Sequence, residues 1–422
     1  MFVTKSFKRL QPGGGCISNT LSNGYVALYS TKVDFFNRKR ELVNFRNAFS
    51  GDPQLHVVLG PPSSGKTALV RQITSKDKLF NPLFINCRKG QFDTPARVYD
   101  SIYSQFHPFF DKYKDSLKQV VGGTLNAGYT GLSVGYEVGG ASATTSNDVT
   151  RLLDNINTYL PNWTFWNGHN IPPPILIIDE ANMFSQLAKN DGTLLKSILN
   201  WLVLNTKEEE RFHAVLTSSD SFFFNWIENL LHIPHATPYV VGDLSKEEAE
   251  EYFEKRVLPK HECKELEGKF DHVRKITGTR MLIIDRYVKE YQNFKGKLAV
   301  SDFSVYGSEY SKLKAGLHPN KLKYSDKPNL PLWKDSDLIK TMKAIVEAEN
   351  QGYILEDDLI NEIGSEQVDS LVDYNFLHCR PVSTSKYAND INPPDKIILT
   401  AMNQPSVRAM EQILSEVNSN KK

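Results

Sequence analysis

Gly60-Pro61-Pro62-Ser63-Ser64-Gly65-Lys66-Thr67 satisfies every fixed position of G-x-x-x-x-G-K-[ST], a loop pattern that wraps phosphate. A pattern this short occurs by chance, so its surroundings decide. Leu55-His56-Val57-Val58-Leu59 precedes it, an apolar run with two β-branched residues that predicts a buried strand. Thr67 to Ile73 follows, with Leu69 and Ile73 at helical spacing and neither Gly nor Pro between them. Strand, glycine-bounded loop and helix therefore stand in the order a phosphate site needs. Gly60 and Gly65 permit backbone angles closed to other residues, so successive N–H groups can turn inward around an anion. The helix start adds unpaired N–H groups and a partial positive charge. In this pattern Lys66 reaches the outer phosphates and the Thr67 hydroxyl ligates Mg²⁺. The bland alternative is a tight strand-to-helix turn with a surface lysine.

A second stretch agrees with the first. Ile175-Leu176-Ile177-Ile178 is a run of four apolar residues after Pro172-Pro173-Pro174, as in a central parallel strand covered on both faces. It ends in Asp179-Glu180, two carboxylates at the strand end where open α/β sheets bind ligands. This resembles a Walker B motif in its DE form. Asp179 is expected to hold Mg²⁺ and Glu180 to polarise the attacking water as general base. The alternative is a capped turn. Phe212-His213-Ala214-Val215-Leu216 then predicts a strand running into Thr217-Ser218-Ser219-Asp220, with His213 packed inside it. Glu208-Glu209-Glu210-Arg211 before it is a solvated charge run.

The totals set the frame. A chain of 422 residues is too long for one compact core and points to two or three domains. Apolar residues at 40% and charged residues at 23% are ordinary for a globular protein. A net charge of +1 gives no overall field for nucleic acid, so such binding needs a local patch. Cys16, Cys87, Cys263 and Cys379 are far apart, which is neither a disulfide framework nor a metal site and suits a reducing, intracellular compartment. There is no apolar run of membrane-spanning length.

Residues 1–32 form an expected N-terminal tail with no Asp or Glu, with Lys5, Lys8, Arg9 and Lys32 and a Gly13-Gly14-Gly15 run. The composition fits a mitochondrial or plastid targeting segment, or a disordered tail. Phe36-Asn37-Arg38 with Glu41 and Leu42 leads into a helix whose Leu42, Phe45 and Phe49 share a face. With the phosphate loop, this box makes the chain resemble the archaeal-type ATPase family within the STAND and AAA-type P-loop ATPases, from about residue 33 to 415. The resemblance implies an α/β fold: a P-loop NTPase three-layer parallel sheet over 33–242, followed by a helical lid over 243–292 and a winged-helix domain over 335–415. It implies ATP as ligand, since nothing matches a guanine-reading N-K-x-D motif. It also implies that Asn37 and Arg38 lie in a lid beside the adenine, with a first amphipathic helix as the plainer alternative. It places a polar sensor within Thr217–Ser219, with Ser218 or Ser219 preferred. Arg280, after Thr277-Gly278-Thr279, stands where AAA proteins carry a sensor arginine, although the family's G-G-x-P form is missing. Arg256 is a weaker candidate for an arginine finger.

Other expectations concern organisation. Thr94–Phe106 and Asp148–Leu160 read as helices, and Val121–Ser146, rich in Gly, Ser and Thr, as a mobile insertion with a short hairpin. Ser245 and Glu248 form a capping box at the lid's start. Asn293–Lys334 reads as a linker with little regular structure. Beyond it, Leu338 to Ile345, Leu359 to Ile363 and Val368 to Val372 mark three helices, and Phe376–Arg380 and Lys396–Thr400 mark two strands. Residues 416–422 form a tail. The third helix, Ser365–Tyr374, carries Glu366 and Asp369 and neither Lys nor Arg, so a protein partner or intramolecular packing is favoured over DNA readout. An oligomer is compatible with all of this. Besides an ATPase, the readings that stand are a nucleotide-dependent switch or scaffold and a nucleic-acid-binding regulator.

Overall fold

The computed structural model describes residues 35–36, 38–75, 79–121, 144–231, 236–322, 330–381 and 395–419. The N-terminal tail, Asn37 and the Gly-rich stretch 122–143 lie outside the described residues. All elements below belong to the compact unit Phe36–Lys422. No helix among the described residues is long and apolar enough to cross a membrane.

The core is a five-stranded parallel sheet of β1 (Leu55–Leu59), β2 (Asn81–Asn86), β3 (Pro174–Asp179), β4 (His213–Ser218) and β5 (Ala236–Val240), in the order β2-β3-β4-β1-β5. Every residue of β1, β3 and β4 is buried, so these strands need apolar side chains on both faces. Helices Lys39–Ser50 and Lys66–Ser75 pack on each other, and Pro95–Val121 packs on β2 and on Ser146–Tyr159. β4 lies between β1 and β3, so the two strands that end in the phosphate loop and in Asp179-Glu180 are one strand apart. Their C-terminal ends nevertheless open on the same edge, because all five strands are parallel.

The helices after β5 have a core of their own, built on Leu244, Phe253, Phe270, Ile284, Tyr287 and Phe303. The expected capping box is present: Glu248 N–H donates to Ser245 Oγ at 3.2 Å and Ser245 N–H to Glu248 Oε2 at 3.3 Å. Helices Phe270–Thr277 and Met281–Asn293 follow.

The stretch expected as a linker is different. Helix Ser304–Gly316 runs through it, and Leu313 and Trp333 belong to the C-terminal core. That core contains the three expected helices, Asp335–Glu347, Glu356–Ile363 and Ser365–Asp373. A three-stranded antiparallel sheet joins β6 (Ile354–Leu355), β8 (Ile398–Ala401) and β7 (Leu377–Arg380). A further helix, Gln404–Ser419, covers them with Met410 and Ile413 inside. The C-terminal part also touches the chain just after β4: Cys379 N–H donates to Ser221 Oγ at 3.1 Å, and Phe222 packs on its core.

Candidate functional site

The loop Gly60–Gly65 has the form the sequence predicts. Gly60 has φ 151° and Gly65 φ 93°, and a Cβ on Gly60 would stand 2.1 Å from the Val241 carbonyl oxygen, so no side chain fits there. Lys66 is buried, and its ammonium folds back to donate to the carbonyls of Gly60 at 2.9 Å and Pro61 at 3.0 Å. Burial pushes its pKa down to about 8, against the opposing pull of the Glu180 and Asp179 carboxylates.

Asp179 is the centre of the site. Its Oδ1 accepts hydrogen bonds from Thr67 Oγ1 at 2.6 Å and from Thr217 Oγ1 at 2.5 Å. Thr217 Oγ1 also accepts from Glu180 N–H at 3.2 Å. One hydroxyl on β4 thus fixes both acids at the end of β3. Thr67 and Asp179 present a hydroxyl and a carboxylate oxygen to the same point, the donor set that a hard cation such as Mg²⁺ takes. Two protein oxygens suffice where substrate phosphates supply the remainder.

The polar residue at the end of β4 is more specific than the sequence allowed. Thr217, and not the favoured Ser218 or Ser219, reaches Asp179. Ser218 is fully buried, and its Oγ accepts from Asp220 N–H at 3.0 Å, which shapes the turn after the strand. Ser219 is half-buried at that turn.

Glu180 adopts a left-handed backbone, φ 57°, a strained state for a residue with a side chain. Its carboxylate pairs with Arg88 at 2.8 Å. Arg88 sits just after β2, whose last residue Asn86 is in register with Asp179, and sequence reasoning missed it. Its place at the same sheet edge, one strand away, becomes visible only once strand order and register are known.

Arg38 lies near the loop but within packed protein. Only 2% exposed, it donates through Nη2 to the carbonyls of Ser64 at 2.6 Å and Gly242 at 2.8 Å, and through Nη1 to Glu41 at 3.0 Å. It ties the first helix, the phosphate loop and the segment after β5. Arg280 makes a bidentate pair with Asp243, at 2.7 and 3.1 Å, and its charge is felt at Lys66. Arg256 lies 5.9 Å from the Phe36 ring centroid and is exposed. His213 is buried beside His56, away from the acids.

The sequence pattern of the ATPase domain found predominantly in Archaea matches residues 35–280, more than half of the chain. The chain belongs to this archaeal ATPase family. One uncharacterized ATP-binding protein of Methanocaldococcus jannaschii is 29% identical over 229 residues, 52% of this chain and 59% of that protein. Another from the same organism is 26% identical over 330 residues, 73% of this chain and 85% of that protein. The first of these alignments spans under two thirds of the relative's length. A Walker-type ATPase of Pyrococcus abyssi superposes with a TM-score of 0.52 at 12% identity, over 90% of this chain and 96% of that one. That likeness is one of fold, and it carries the parallel P-loop sheet with flanking helices.

Proposed function

We propose that this member of the archaeal ATPase family binds ATP with Mg²⁺ at Gly60–Thr67 and hydrolyses it. The observation that carries the reading is the convergence of Thr67 and Thr217 on Asp179, with Glu180 next in the chain. Backbone N–H groups of the loop and the start of helix Lys66–Ser75 would receive the phosphates. The Lys66 ammonium would exchange the carbonyls of Gly60 and Pro61 for phosphate oxygens. Thr67 and Asp179 would hold Mg²⁺, which neutralises charge on the phosphate oxygens when bound. Glu180 would take a proton from the attacking water, and the Thr217 hydroxyl holds the two acids in place. Arg280, at the head of helix Met281–Asn293, would report occupancy to the lid through its pair with Asp243. We read 243–292 as the lid and the C-terminal helices with β6–β8 as a winged helix, whose acidic helix Ser365–Asp373 suits a protein partner.

The Arg88–Glu180 ion pair favours a second feature of the same reading, a low basal rate. While that pair holds, the Glu180 carboxylate is engaged, so a nucleotide-dependent switch with slow turnover fits this chain.

Phosphate release by the purified full chain tests the proposal. Wild type is expected to turn over with Mg²⁺ and to stop with chelator. Lys66→Ala should lose ATP binding, while Glu180→Gln should bind ATP with turnover reduced about a hundredfold or more. Binding without any turnover in wild type would remove Glu180 as general base and leave the switch.

A further inference from the structure

The short turn after β4 is bonded at both of its ends. At its head, Thr217 Oγ1 donates to Asp179 Oδ1 at 2.5 Å and accepts from Glu180 N–H at 3.2 Å. At its foot, Ser221 Oγ accepts from Cys379 N–H at 3.1 Å, and the Phe222 side chain packs on the C-terminal core. The turn is also braced within itself. Asp220 N–H donates to Ser218 Oγ at 3.0 Å, and Phe222 N–H to Asp220 Oδ1 at 2.9 Å. Local bonds of this kind fix the backbone of a turn, so one end does not move far without the other.

The far contact is made by the edge of a sheet. β7 is an outer strand in the order β6-β8-β7, so one row of its backbone groups has no strand beside it. Cys379 N–H takes the Ser221 hydroxyl in place of a neighbouring strand. Cys379 is buried, and a buried N–H without an acceptor is costly, which favours keeping this contact. The near contact matters for a different reason. Glu180 has φ 57°, a state that persists only where its surroundings over-determine it. Its N–H donates to the Thr217 hydroxyl, so a shift of the turn loosens the backbone of the acid itself.

We propose that Ser221 is a positioning residue for Asp179 and Glu180: β7 holds it, it acts through Thr217, and the C-terminal sheet thereby regulates the site. This rests on the reading that a nucleotide and its cation are held at the phosphate loop with Thr67 and Asp179. The bonds from Asp179 to Cys379 are contiguous, which gives the coupling a physical route. Coupling of this kind is reciprocal. A ligand that fixes Asp179 also fixes Thr217 and the turn, and so firms the hold on β7. The inference does not depend on turnover.

The test is amide hydrogen exchange in peptides spanning Leu377–Arg380 of the purified full chain, with and without the imido analogue of ATP and Mg²⁺. Wild type is expected to bind the analogue in a calorimetric titration, and to exchange there at least about fivefold more slowly when loaded. Ser221→Ala and Thr217→Val should still bind it, with the slowing cut to less than about twofold. Ser221→Thr keeps an acceptor hydroxyl and should restore the slowing, which a loss of packing alone would not explain. Ser221 is half-buried, so its truncation to Ala is expected to leave the fold intact. Binding without slowing in wild type overturns the proposal, as does slowing that persists in Ser221→Ala or Thr217→Val. Absence of binding by wild type overturns the reading of the phosphate loop, and this inference with it.

Discussion

Asp179 accepts two hydroxyl donors on a single oxygen, and one of them was hard to read from the sequence. Successive side chains on a strand point to opposite faces, so Thr217 and Ser218 differ by a half-turn that composition does not reveal. The phosphate loop and Asp179-Glu180 were legible because each has a fixed local grammar. Thr217 and Arg88 were not, because their roles come from strand order and register across the sheet. Thr217→Val should therefore lower turnover about a hundredfold while ATP still binds, and Ser218→Ala should change it far less. Paired phosphate-release and nucleotide-binding assays separate these outcomes, and equal losses in both variants would return the role to the turn. Arg88→Ala should act in the opposite direction. The Arg88 side chain is 64% exposed, so its pair with Glu180 is worth roughly 0.2–1 kcal/mol. Releasing Glu180 should raise basal turnover by up to about fivefold while lowering the melting temperature by no more than about 2 °C. A fall in rate would show that Arg88 assists the reaction.

At the scale of elements, the helices of strong periodicity were legible and Ser304–Gly316 was not. Its apolar residues Val305, Tyr306, Tyr310 and Leu313 are interrupted by Ser, Gly and Lys, so no clean stripe stands out. Tertiary partners hold it instead. Tyr310 Oη donates to Glu416 at 2.8 Å, Lys314 Nζ to the same carboxylate at 2.6 Å, and Trp333 Nε1 to the Gly316 carbonyl at 3.0 Å. Packing of this kind routinely overrides weak propensity. Gly316 shows the consequence. On an exposed helix Gly→Ala stabilises, but here a Cβ would stand 2.6 Å from the Phe376 ring and 2.8 Å from Leu338. Gly316→Ala should cost about 1–3 kcal/mol by overpacking. Urea denaturation gives the sign directly, and a rise in midpoint would mean that this helix can shift away from the C-terminal core.

At the scale of the whole molecule, the order of parallel sheet, following helices and C-terminal helices was legible because each part repeats a local pattern. How acid unfolds the whole was not, because it depends on two residues 157 positions apart. His56 on β1 and His213 on β4 are fully buried, stacked at 5.2 Å between ring centroids and surrounded by Phe49, Trp163 and Tyr239. Gln54 N–H donates to His213 Nδ1 at 3.2 Å, and His56 Nε2 is 3.1 Å from the same nitrogen. That nitrogen must therefore keep its lone pair, and a proton there would break both contacts. Burial pushes His213 down to about 4 and His56 well below its ordinary 6.5, the second helped by the neighbouring ring. Unfolded, both groups regain a pKa near 6.5, so above that pH neither state is protonated and the pair adds no pH dependence. As the pH falls from 6.5 toward 4, the unfolded chain takes up protons that the folded chain refuses. Stability should fall across that window, by on the order of 3 kcal/mol from His213 alone. Urea midpoints measured at intervals between those limits give the slope, which is the quantity to read. The slope should shrink in a His56→Phe/His213→Phe chain even if its stability at neutral pH differs. An undiminished slope would place the acid sensitivity of the fold outside this pair.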